Sequence, residues 1–197
     1  MNPVTHFFVG WVSGLPFELE RRDRALIVVS SLIPDADGFP VLLDLIKGHS
    51  PEAMQYWSDY HHSLHNLAFA AALCIACAAF AKRRAVTALV CFAVIHLHYL
   101  CDIAGSRGPD GYQWPIAYLQ PFSGKWQLTV PWQWALNAWP NVLITAVLLA
   151  VTLYSAWRRG YSPAVLFSER GDRAFIETLR RRFGEPAAVQ GDDLEKN

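Results

Sequence analysis

The sequence predicts an all-α, membrane-embedded helical bundle with a His/Asp metal site at one end. Three observations lead there. Hydrophobic residues make up 53% of the 197-residue chain and charged residues only 17%, where an ordinary soluble domain has about a quarter charged. Long uncharged runs alternate with short basic stretches. A sparse set of histidines and aspartates sits at or near the ends of those runs, where burial without a partner is costly. Mean hydropathy of +0.17 fits a small membrane protein. Zero formal net charge gives no electrostatic reason to expect a nucleic-acid partner.

Near the N-terminus, "VTHFFVGWVSGL" and "RALIVVSSLIPDADGFPVLLDLI" predict shorter helices broken at Pro34 and Gly38, buried in the bundle or re-entrant. No basic stretch followed by an apolar core and cleavage site precedes them, so no signal peptide is expected. Two runs follow, 66–81 and 85–101, joined by the basic turn Lys82–Arg84. They predict an antiparallel hairpin of marginal length for spanning. The run 135–157 exceeds the about 20 residues that a perpendicular span needs.

Lys82, Arg83, Arg84, Arg158 and Arg159 are expected on the cytoplasmic side by the positive-inside rule. The histidine-rich ends then face outward. The four Trp of "WQLTVPWQWALNAWP" read as an interfacial belt. Residues 1–160 are expected to form the membrane-embedded domain. A cytoplasmic amphipathic helix over 161–185 and a disordered acidic tail over 186–197 follow. The four cysteines, including the Cys74/Cys77 pair, lie in apolar context and read as packing residues.

The polar residues carry the functional argument. His98 and Asp102 are four apart, on one face of a helix, and can converge on one ion. His96 points away from that face. In "YHHSLHN", His61 and His65 or His62 and His65 share a face, and imidazole is the usual neutral ligand for zinc. Either His61 or His62 pairs with His65. "IPDADG" brings Asp35 and Asp37 together, one to face the site and the other to bridge or orient. His6 is the weakest candidate. Together they suit one or two divalent cations, Zn first and Mn or Fe next. Such cations polarise a phosphoryl oxygen and activate water. The loop after Asp102 offers Arg107 as a bidentate phosphate clamp. Asp37 is the carboxylate expected to orient or deprotonate the water. A site opening at head-group depth suggests a phosphoester substrate, a lipid head group included. The alternative is a non-catalytic metal-binding or transport protein. The inner halves of the runs hold almost no polar residues, which disfavours conduction.

"THFFVG", "IPDADG", "YHHSLHN" and "HLHYLCDIAGSRGPDGYQWPIAYLQPF" occur in an order that resembles the bacterial membrane-bound, metal-dependent hydrolase family, which includes LexA-binding, inner-membrane-associated hydrolases. The resemblance covers roughly residues 1–125. It implies a bacterial inner-membrane hydrolase with an early His, a P-D-x-D turn, a His-rich segment and H-x-x-x-D as its site. "HHSLH" is shorter than the family's third block. The order of ligands is also similar, more distantly, to zinc-dependent phospholipase C and P1 nuclease. That similarity implies His6, Asp35, His61 or His62, His98 and Asp102 as ligands.

Overall fold

The computed structural model describes residues 1–48, 63–108 and 111–186. Of the described residues, 66% are helical and 4% are in strands. It divides into two compact units, Met1–Leu149 and Ala150–Asn197.

In the first unit, α1 (Pro3–Gly14) is started by the Asn2 side chain, which accepts from the Thr5 amide, and by Pro3 in the first turn. It packs against α2 (Arg21–Leu32). Gly10 permits the approach: a Cβ there would lie 2.2 Å from Ser31 Oγ and 3.1 Å from Val28 Cα. A six-residue 3-10 helix, Ile33–Gly38, follows α2 and leads to α3 (Val41–Ile46). The α-helix thus ends just before Pro34 and a new one starts after Gly38, as the sequence predicts, with a 3-10 segment and a turn at 39–40 between them.

Helix α4 (Leu67–Phe80), capped by Asn66, and α5 (Arg84–Gly105) form the hairpin. Cys77 packs near Val90 and Cys91, and Ala70 near Ile95 and Tyr99, an antiparallel register. Below the site, Leu19, Ile27, Val90 and Val94 close the core with apolar side chains. A loop follows α5, carrying a two-residue antiparallel ribbon of β1 (Ile116–Ala117) and β2 (Gln127–Leu128). Its Tyr118 carbonyl accepts from the Leu67 amide at 2.9 Å. The loop then hangs from the end of α5. The carbonyls of Asp102, Ala104 and Gly105, left without partners by the helix's end, accept from Gln133 Nε2, the Trp134 amide and Asn141 Nδ2 at 2.9–3.0 Å. Tyr112, Phe122, Trp126, Trp132 and Trp139 are exposed.

Helix α6 (Trp139–Arg159) meets α1 through Thr145 and Thr5, hydroxyl to hydroxyl at 2.6 Å. In the second unit, the end of α6 is followed by a 3-10 turn, Pro163–Leu166, and α7 (Glu169–Phe183).

Among the described residues, three segments are long and apolar enough to cross a membrane: Arg21–Ile46, Arg84–Gly105 and Trp139–Arg159. This alters the sequence-based expectation twice. Residues 21–46, although divided into α2, the 3-10 segment and α3, together count as one candidate span by length and composition. The run before Lys82 folds into only 14 helical residues, about 21 Å at 1.5 Å per residue and too short for a hydrocarbon core of about 30 Å.

Candidate metal centre

Four chain segments end at the same place. His6 stands in the second turn of α1, Asp35 and Asp37 on the 3-10 helix after α2, His65 just ahead of α4, and His98 with Asp102 in the last turns of α5. One ligand atom from each of His6, Asp35, His98 and Asp102 lies within 4.8 Å of the others. His6 and His98 have no exposed surface, and their rings stack at 3.8 Å.

Asp102 is the hub. Its Oδ2 is 3.0 Å from His98 Nε2 and 3.3 Å from His65 Nε2. Its Oδ1 is 3.2 Å from His6 Nε2 and accepts from Ser106 Oγ at 3.0 Å. The Met1 amino group also donates to Oδ1.

The far nitrogens fix how the rings present themselves. His98 Nδ1 donates to the Ser31 carbonyl at 2.9 Å, and His65 Nδ1 donates to Asp37 Oδ2 at 2.9 Å. In neutral form both rings then turn Nε2 lone pairs inward, and these two nitrogens are only 3.1 Å apart. Asp102 Oδ2 and, at 3.6 Å from His98 Nε2, Asp35 Oδ1 face the same point. Four acceptors converge there, and among the described residues no donor stands between them. Such an arrangement is unfavourable in a buried site unless a proton or a cation occupies it.

The titration of the rings outside the spans reflects this. Burial lowers the His6 pKa below the ordinary 6.5. Burial opposes charge on His65 as well, but its bonds to Asp102 and Asp37 outweigh that and raise its pKa to about 9. Positive charge is favoured where the lone pairs meet. The donor set of imidazoles and carboxylates, with second nitrogens held by a carbonyl and a carboxylate, could hold a metal ion. Asp35 Oδ2 is buried with no hydrogen-bond partner among the described residues.

A family model described as YdjM inner membrane protein matches residues 1–168. The chain belongs to the YdjM inner membrane protein family. Searches of curated proteins and of solved structures give no match. The YdjM match contains every residue of the cluster and all three candidate spans, and ends at Ser168, the residue that caps α7.

His6, Asp35, Asp37, His65, His98 and Asp102 are thus brought together in this family member. His61 and His62 lie outside the described residues. Arg107 is half-buried beyond Ser106, and its backbone pairs with Trp134 and Leu136. No hydrogen bond or ion pair joins its guanidinium to the cluster among the described residues. His96 turns away, placing Nε2 2.8 Å from the Tyr118 hydroxyl. Residues that the sequence did not signal include Ser31, whose carbonyl orients His98, and Gln133, fully buried under the α5 end. A serine carbonyl carries no side-chain signature, and a lone Gln in a Trp-rich loop reads as surface.

Proposed function

We propose that this protein is a metal-dependent hydrolase of the bacterial inner membrane, acting on a phosphoester at membrane depth, a lipid head group included. The observation that carries the reading is the convergence of His65 Nε2, His98 Nε2, Asp102 Oδ2 and Asp35 Oδ1 on one point without an intervening donor. His6, Asp35, His98 and Asp102, with His65, would hold a divalent cation, Zn before Mn or Fe. His61 or His62 would complete a second position. A bound cation supplies Lewis acidity, lowering the pKa of water and polarising a phosphoryl oxygen.

The chain's own residues have distinct roles in this reading. Ser31 and Asp37 keep the protons of His98 and His65 on Nδ1, so both Nε2 atoms stay available. Asp37 also accepts from the Leu64 amide at 3.0 Å. That commitment suits it to orienting His65 rather than to deprotonating water. Proton acceptance falls to Asp35, whose Oδ2 has no hydrogen-bond partner among the described residues. Arg107, at the rim beside Ser106, would clamp the phosphate. Membrane lipid is the partner, and basic Arg21, Arg22 and Lys82–Arg84, at the other end of their helices, support an outward-facing site in a multi-pass chain. The apolar layer of Leu19, Ile27, Val90 and Val94 beneath the cluster disfavours ion conduction.

Metal analysis of the purified protein, followed by a panel of soluble and lipid phosphoesters, tests this. Stoichiometric metal and ester cleavage are expected, both abolished in His98→Ala and Asp102→Ala. Wild-type protein without bound metal would overturn the reading. Metal without cleavage would favour a binding protein.

A further inference from the structure

Helix α7 lies outside the family match and outside the metal centre, and its composition is unlike the rest of the chain. Seven arginines face three carboxylates between residues 158 and 183. One of those carboxylates, Asp172, is buried and committed to the amide and hydroxyl of Ser162 at 2.7 and 2.6 Å. Arg170, Arg173 and Arg182 are exposed and make no ion pair among the described residues. Phe175, Leu179 and Phe183 repeat every four residues and share a face, and Arg170 and Arg173 occupy the opposite side of the wheel. Phe167 and Phe183 are 78% and 66% exposed, although each could have been buried in a protein core.

Both ends of α7 are tied to the segment that closes the α6 span. Asp172, in its first turn, holds Ser162, and the Gly184 carbonyl just past its end accepts from Trp157 Nε1 at 2.7 Å. Arg158 and Arg159 stand between those two anchors. The tethers keep α7 at the depth where a membrane-spanning helix leaves the hydrocarbon. An arginine face, an opposed phenylalanine face and that position are the attributes of a helix lying in the bilayer interface.

We propose that α7 is a membrane-surface helix that binds anionic phospholipid head groups through its arginines, with Phe167, Phe175 and Phe183 set into the acyl boundary. A merely solvated helix would not account for Phe175 and Phe183 standing exposed on the side away from Arg170 and Arg173. The proposal is independent of the metal centre.

The test uses the full chain in nanodiscs of phosphatidylcholine alone or mixed with phosphatidylglycerol, read by hydrogen exchange over residues 169–183. Because each basic residue near an anionic surface is worth about fivefold in binding, exchange should slow by about tenfold or more in the anionic discs. Arg170→Gln/Arg173→Gln/Arg182→Gln should lose that difference, and the triple Arg→Lys variant, which retains the charge, should keep it. High salt should erase it in the wild type. Equal exchange in both lipids overturns the proposal, whether protection is uniformly high, through apolar insertion alone, or uniformly low, through a solvated helix. Loss of protection in the Lys variant overturns the charge argument too.

Discussion

The two ends of the first unit solve the same problem in opposite ways. At the end holding Glu18–Arg24 and Lys82–Arg84, buried charges are closed off by backbone partners. Asp23, with no exposed surface, accepts from the amides of Lys82 and Arg83 at 2.8 and 3.0 Å. Arg24 donates to the carbonyls of Leu19, Gly14 and Phe17, and Arg83 to that of Glu18. Donors meet acceptors throughout. At the other end, with the rings neutral, His65 Nε2, His98 Nε2, Asp102 Oδ2 and Asp35 Oδ1 face one another as acceptors, and a proton or a cation is needed between them. Satisfied burial marks structure, and unsatisfied convergence marks a place reserved for a ligand.

Substitutions should separate the two ends. The largest effect is expected for Asp102→Ala, with metal content falling from about one per chain to background by elemental analysis. Asp23→Ala should leave metal content intact while costing about 2–4 kcal/mol of stability, because two amides lose their acceptor; denaturation in micelles reads this. If Asp23→Ala released metal, the division between the ends would be wrong. Asp37→Asn should weaken metal binding by about 10–100-fold, the usual consequence of disturbing a ligand's orienting partner, with the fold retained by circular dichroism.

Two glycines on α1 give a finer comparison. Gly10→Ala forces a Cβ into Ser31 and should cost about 1–3 kcal/mol, with some metal affinity lost through displacement of His6. Gly14, one turn further from the site, would place its Cβ 3.9 Å from Ile27 and Leu19, an ordinary contact. There the substitution should be neutral or stabilise by up to about 1 kcal/mol. The smallest effect concerns pH. Charge on His65, whose pKa is raised, stabilises the metal-free protein fully below pH 6.5. That stabilisation is lost as pH rises through about 9. Saturating metal should flatten this slope, measured as melting temperature against pH.

Short-range pattern made part of this arrangement legible. The i, i+4 spacing put His98 and Asp102 on one face and turned His96 off it, and a helical bundle followed from the apolar runs. The hairpin followed from its basic turn. What the pattern could not carry was anything resting on sequence-distant contact. Ser31 and His98, Gln133 and Asp102, Asp23 and Lys82 are tens of residues apart and obey no period. Pro34 marks the end of α2 as a proline after an apolar run usually does, but no sequence signal shows that a 3-10 segment follows and carries Asp35 and Asp37 into place.

The dependence of the α5 end on residues 133, 134 and 141 has a consequence for synthesis. While the ribosome has reached only residue 130, His6, Asp35, His65, His98 and Asp102 already exist in the nascent chain. Yet the last carbonyls of the helix that bears Asp102 still lack their protein partners. The centre therefore matures late: its candidate ligands are made early, but their frame is locked only when residues 133–141 arrive. If the cluster holds metal as proposed, a chain stalled before that point would be a poor competitor for it.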